Sequence, residues 1–296
     1  MKTVGVIGLG IMGSAMSANL AKNGFKVHGY DVLPKARAAL KRAGGIALET
    51  PLEIFSKVRI IITSLPSAKA LHAVCKEAEG KGAIVVETST LPIEEKVKAR
   101  DTLRKKGITL LDCPLSGTGA QAKTGDLVVF GSGDRNAFAK VRNVLRAFSR
   151  GHHYLGEFGN GSKMKYVANL MVAIHNVSAG EAFALGIKAG LSPKAIFDVQ
   201  ANSAGTSRMF QVRGPMMVKG RYDDVTMKNE VWQKDMKIIG DYARKLRVAT
   251  PTFRASAGVY KAAMAQGFAK QDTGAVCAVL EEMAGNPRKR RKRAKR

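Results

Sequence analysis

The chain has 296 residues, 45% of them hydrophobic, and its 49 lysines and arginines against 23 acidic residues give a net charge of +26. That length and apolar content suffice for a sizeable core, expected to be divided over two domains. No apolar run reaches the ~20 residues that a bilayer span requires, and Cys75, Cys113 and Cys277 are too few and too far apart for a disulfide framework or a zinc site, so they are expected as reduced, mostly buried thiols.

The opening MKTVGVIGLG enters a strand pattern at once, with no leader pattern before it, and the expected location is the cytoplasm. Lys2–Ile7 reads as a compact apolar strand, Ile11–Asn23 as a helix of small and apolar residues, Phe25–Tyr30 as a second strand and Pro34–Ala43 as a second helix with proline in its first turn. Arg59–Ser64, Ala83–Glu87 and Ile108–Asp112 read as buried strands, with helices over Ala68–Glu77 and Ile93–Lys106; Leu127–Gly131 and His152–Leu155 add two more strands. Valine- and isoleucine-rich strands alternating with helices predict a doubly wound, mainly parallel sheet covered on both faces. After residue 160 the pattern turns helical: Lys163–Ala189, Pro193–Asn202, Val231–Leu246, Pro251–Gln266 and Asp272–Ala284. The expected organisation is therefore a dinucleotide-binding α/β domain over 1–160, an all-α domain over 161–286, and a basic tail over 287–296.

Eight of the basic residues fall in the last nine positions, Arg288–Arg296, which follow a Gly-Asn-Pro helix stop. This run is expected to be solvated and disordered. It is the one segment that suggests nucleic-acid contact, the other reading being a solubilising tail.

Between the first strand and the first helix stands Gly8-Leu9-Gly10-Ile11-Met12-Gly13, a G-x-G-x-x-G in the strand–helix context that gives it meaning. Gly8 serves a tight turn, Gly10 admits a pyrophosphate to the backbone, Gly13 allows close helix–strand packing, and the helix N-terminus with Ile11 and Met12 offers N–H groups to phosphate. Asp31, 18 residues beyond Gly13 at the end of the second strand, suits the ribose hydroxyls and opposes a 2′-phosphate, so NAD is expected over NADP; Lys35 and Arg37 nearby soften that preference.

The architecture and three further motifs resemble the β-hydroxyacid dehydrogenase family over about residues 2 to 285. The first ten-residue motif, Val4 to Gly13, looks like that family's cofactor signature. Asp112-Cys113-Pro114-Leu115-Ser116-Gly117-Thr118-Gly119-Ala120 looks like its substrate-binding segment, with Thr118 where a second glycine is usual. Gly159 to Asn169 fits its G-x-G-x-x-x-K-x-x-x-N, and Lys234-Asp235 a further pair. The resemblance implies a long interdomain helix that offers Lys165 as the proton-transfer group and Asn169 as a substrate ligand. Ser116, Gly117 and Thr118 would line the substrate pocket, and Leu65, Pro66 and Thr90 the cofactor. Lys234 would close over both ligands, the alternative being a surface ion pair with Asp235. Lys165 and Asn169, four apart, share a helix face, whereas Lys163 points elsewhere. No metal is expected. The implied activity is hydride transfer between a small β-hydroxy acid and its semialdehyde or keto form, in a homodimer or homotetramer. An imine reductase, or a non-catalytic module using the basic tail, are the competing readings.

Overall fold

The computed structural model describes residues 2–288, so the expected tail lies outside the described residues from position 289 onward. The chain forms two compact units that part between Lys165 and Tyr166.

The first unit is built on a six-stranded parallel sheet. In chain order its elements are β1 (Thr3–Ile7), α1 (Ile11–Lys22), β2 (Lys26–Tyr30), α2 (Pro34–Arg42), β3 (Ile46–Ala47), α3 (Pro51–Lys57), β4 (Ile60–Thr63), α4 (Ala68–Glu77), β5 (Ile84–Glu87), α5 (Ile93–Lys105) and β6 (Thr109–Asp112). The strand order β3-β2-β1-β4-β5-β6 reverses direction of growth after β1, as in doubly wound folds. Alternate residues of each strand feed two cores. Val4, Val6, Ile62, Val86 and Leu111 pack with Met16 and Leu20 on one face. Ile7, Ile61, Val85 and Leu110 pack with Ile54, Phe55, Leu71 and Leu103 on the other. Each such side chain contributes about 1.5–3 kcal/mol on burial.

Next come β7 (Leu115–Ser116), α6 (Gly119–Lys123), β8 (Leu127–Gly131), α7 (Arg135–Arg146) and β9 (Ser149–Tyr154). Here the structure corrects the sequence reading. The strands at 127 and 152 do not extend the main sheet. They form a separate sheet, β7-β8-β9, with β7 antiparallel and β9 parallel to β8, and it meets β6 through a bridge between Asp112 and Ser132. The last strand also starts earlier, at Ser149.

The helix α8 (Asn160–Lys188) runs from the first unit into the second, which continues with α9 (Pro193–Gln200), α10 (Arg208–Lys219), α11 (Asn229–Lys245), α12 (Pro251–Ala265) and α13 (Val276–Met283). Phe183, Phe210, Met217 and Phe268 are among the residues of its core. By length and composition α8 is long and apolar enough to cross a membrane, although scattered polar residues leave it without an unbroken apolar run of that length. Two of these, Asn169 and Asn176, are buried and donate to Asp235 and Tyr260, the pattern of a helix packed within protein. All three cysteines are unpaired and buried, and burial pushes the Cys75 thiol up to about 12.

The chain's end is corrected as well. Arg288, assigned to a solvated tail, binds the buried Glu281 through Nε at 3.0 Å and Nη2 at 2.5 Å, and donates to the carbonyls of Met217 and Val218 at 2.6 and 3.0 Å. The folded body therefore includes Arg288.

Candidate active site

The turn after β1 obeys steric demands that only glycine meets. Gly8 has φ +92°, and a Cβ there would lie 2.2 Å from the Ser64 carbonyl oxygen; one on Gly13 would lie 1.8 Å from the Gly8 carbonyl oxygen. A Cβ on Gly10 would meet nothing within 4 Å. The loop is thus closed toward the protein at Gly8 and Gly13 and open at Gly10, where α1 begins. Met12 packs against the core while Ile11 is 68% exposed.

Asp31 stands beside this loop. Its Oδ2 accepts from the Leu9 N–H at 2.7 Å and its Oδ1 from the Leu33 N–H at 2.8 Å, so two backbone amides orient the carboxylate. Arg37 has two partners, the Asp31 carbonyl at 2.8 Å and Glu49 at 2.6 Å. On the other side, the Leu65 N–H donates to Ser89 Oγ at 2.8 Å; Pro66 is exposed beside it and Thr90 follows Ser89. The structure thereby brings Gly8, Asp31 and Leu65 together at the carboxyl edge of the sheet, the location where doubly wound folds bind ligands.

The segment Ser116–Gly119 abuts the same loop: a Cβ on Gly119 would stand 2.8 Å from Ile11 Cγ2. Ser116 is registered against Val128. Gly117 has φ +135°, and Thr118 caps α6 reciprocally, accepting from the Gln121 N–H while its own N–H donates to Gln121 Oε1 at 3.0 Å. The Thr118 hydroxyl thus serves the helix cap.

Helix α8 starts against the sheets. A Cβ on Gly161 would lie 2.2 Å from the Phe130 carbonyl oxygen and 2.6 Å from that of Asp112. Lys163 is exposed and donates to Asn160 Oδ1 at 2.9 Å. Lys165 is half-buried one turn before Asn169, which is 4% exposed and donates to Asp235 Oδ2 at 2.9 Å. Asp235 also lies 3.5 Å from the ammonium of Lys234, which is 38% exposed.

The family model described as the NAD-binding domain of 6-phosphogluconate dehydrogenase matches residues 3–156, and that of the NAD-binding region of NADP-dependent 3-hydroxyisobutyrate dehydrogenase matches 159–280. The chain belongs to the β-hydroxyacid dehydrogenase family. An L-threonate dehydrogenase of Cupriavidus necator is 32% identical over 94% of this chain and 96% of its own. Glyoxylate/succinic semialdehyde reductase 1 of Arabidopsis thaliana is 32% identical over 92% and 96%. A solved 3-hydroxyisobutyrate dehydrogenase from Salmonella typhimurium superposes with a TM-score of 0.85 at 27% identity, over 94% of this chain and 99% of that one. As a member of this family the protein is an NAD(P)-dependent hydroxyacid oxidoreductase.

Sequence reasoning singled out Asn169 and Lys234 but gave Asp235 no role beyond an ion pair. The signal was present: an acidic residue next to Lys234 whose side chain is buried has to find donors, and the Asn169 amide is one.

Proposed function

We propose that this β-hydroxyacid dehydrogenase interconverts a small β-hydroxy acid and its semialdehyde with NAD preferred, Lys165 acting as general acid/base. The observation that carries this reading is the pairing on α8 of Lys165 with Asn169, four residues on, whose amide is held by the buried Asp235.

The residues at the sheet edge fit a dinucleotide. Gly10 leaves its surface open, and Ile11, Val32 and Leu33, which flank the loop and Asp31, are 68%, 76% and 62% exposed, an apolar rim suited to be covered by the adenosine part. The N–H groups at the start of α1 suit the pyrophosphate. Asp31, oriented by two amides, retains lone pairs for ribose hydroxyls, and Arg37, engaged with Glu49, is not offered to a 2′-phosphate; both support NAD. Leu65, Pro66 and Thr90 line the nicotinamide side. A bound nicotinamide ring accepts or supplies the hydride.

The chain's residues handle the proton. Lys165 removes the hydroxyl proton as hydride leaves carbon and returns it in reduction. Asn169 hydrogen-bonds the substrate. Ser116 and the Gly117 amide receive its carboxylate, with Thr118 shaping the loop, and Lys234 draws anionic ligands in. The exposed stripe Met164, Val167 and Met171 on α8 supports assembly into a homodimer or homotetramer, in the cytoplasm. With Lys165, Asn169 and Ser116 all present, neither an imine reductase nor a non-catalytic module is favoured.

The test is a screen of three- and four-carbon hydroxy acids with NAD and with NADP, following the absorbance of the reduced nicotinamide. No turnover with any acid would overturn the reading.

A further inference from the structure

Three charged side chains of the first unit are wholly buried: Lys96, Glu87 and Asp112. Glu87 ends β5 and Asp112 ends β6, and the two are register partners. Lys96, from α5, reaches between them, its Nζ 2.6 Å from Glu87 Oε2 and 2.8 Å from Asp112 Oδ1. Burial alone would push this ammonium's pKa down, but Asp112 and then Glu87 outweigh burial and the net is upward. The charged form of the lysine is thereby favoured.

Each carboxylate then holds something else. Glu87 Oε1 accepts from the Ser89 N–H at 3.0 Å, and Ser89 Oγ accepts from the Leu65 N–H at 2.8 Å. Asp112 Oδ1 accepts from Ser162 Oγ at 2.8 Å, and Oδ2 from the Ser162 N–H at 2.7 Å and from Ser132 Oγ at 3.3 Å. Ser132 Oγ in turn accepts from the Gly161 N–H at 2.9 Å. Two amides at the start of α8 are thus met by this cluster, and its excess negative charge faces the positive end of the helix dipole. The connected path runs Leu65, Ser89, Glu87, Lys96, Asp112, Ser162. It ends one helical turn before Lys165, and Asp112 also begins the strand-to-loop segment that leads to Ser116.

Buried ion clusters add little net stability compared with apolar residues of the same volume. What this one adds is direction: every acceptor of Asp112 is occupied, so the start of α8 has one allowed position against the sheet edge. The geometry points to the Lys96–Asp112–Ser162 cluster as the positioning device of this enzyme, setting where α8 presents Lys165 relative to the Leu65 and Ser116 loops. The inference rests on Lys165 being the proton-transfer group.

Lys96→Met leaves two buried carboxylates without a counter-ion and is expected to misfold, so the test uses Ser162. Ser162→Ala removes the hydroxyl bond to Asp112 and keeps the amide bond and all charges. Its kcat is expected to fall by about ten- to a hundredfold, the cost of a displacement of up to ~1 Å in a reacting group. The limb of the kcat–pH profile set by Lys165 moves with it, NADH affinity stays within about twofold because the phosphate loop is untouched, and Ser162→Thr restores kcat. Wild-type kcat and pH profile in Ser162→Ala, beside an inactive Lys165→Ala, would overturn the positioning role and leave the function standing. So would a loss confined to thermal stability, or a Ser162→Thr as slow as Ser162→Ala. Full activity in Lys165→Ala would instead sink the proton-transfer reading, and this inference with it.

Discussion

Asn169 on α8 and Asp235 on α11, residues that are 4% and 6% exposed, are joined by a 2.9 Å hydrogen bond between their side chains. A carboxylate accepts and does not donate, so the bond fixes the Asn169 amide with its nitrogen toward Asp235. Asp235→Asn presents an amide of either orientation and removes that constraint. The expected result is a fall in kcat/KM of about ten- to a hundredfold, with the circular dichroism spectrum unchanged. Steady-state kinetics that match wild type would show that Asn169 needs no such partner.

Lys165→Ala is expected to lower kcat by about 10² to 10⁴, the range for a lost general acid–base group, while NADH binding changes little. Lys165→Arg does not rescue, because a guanidinium keeps its proton near neutral pH. Lys163, exposed and bonded only locally to Asn160, is the control: Lys163→Ala stays active. Equal damage at both lysines would return this stretch of α8 to an ordinary solvated helix face.

Cofactor choice is to be tested at Asp31. Replacing it with serine removes the charge that opposes a 2′-phosphate and the acceptor that suits ribose hydroxyls, so the NAD-to-NADP ratio of kcat/KM should drop by about tenfold or more; a like-charge contact costs several kcal/mol. A ratio that does not change on substitution assigns discrimination elsewhere.

Arg288 separates a truncation from a point substitution. A chain ending at Arg288 should keep both its melting temperature and its turnover. Arg288→Ala in the full chain leaves Glu281, 3% exposed, without its cation and takes one donor from each of the Met217 and Val218 carbonyls. The expected loss is about 1–3 kcal/mol, read by urea denaturation. Identical midpoints for the two would mean that water replaces the arginine.

Asp272 carries the acid sensitivity of the second unit. It accepts from Arg213 Nε at 3.0 Å, from the N–H and hydroxyl of Thr226 at 2.7 Å each, and from the amides of Met227 and Gly274 at 3.0 and 2.9 Å. Burial pushes its pKa up, Arg213 and these donors push it down, and the net is below the ordinary carboxylate range. A carboxylate lowered on folding adds stability that is fully present above its unfolded pKa of about 4 and is lost as pH falls through the folded value. Asp272→Asn should thus cost about 3–5 kcal/mol at neutral pH, with the gap to wild type narrowing only below about pH 4. A gap that is constant into acid would show that the charge contributes nothing.

What was legible in the sequence follows from how locally each feature is determined. The phosphate loop is written within six residues, because each glycine answers a contact that its immediate neighbours create. The doubly wound sheet was legible through strands that are apolar on both faces. Helix α7 was missed although Ala137, Phe138, Val141, Val144 and Leu145 trace its buried face; four basic residues in the helix, two of them between these positions, mask the period. Helix α10 was missed because Gly214 and Pro215 interrupt it. The second sheet could not be read, since strand pairing across distant segments leaves no local mark. For the same reason nothing local links Glu87, Lys96 and Asp112 until the fold brings them together.

Thr118 has a consequence for the loop it begins. A glycine there would let the substrate segment sample many backbone states; the reciprocal cap with Gln121 holds it in one. Removing that freedom from the unfolded chain favours the native state by about 0.4–1 kcal/mol when the native dihedrals suit the new residue, and Thr118 sits in ordinary extended geometry at φ −93°. The conformational entropy that a mobile loop loses on meeting its ligand has here already been surrendered during folding, so the segment proposed to receive the carboxylate is preorganised rather than induced.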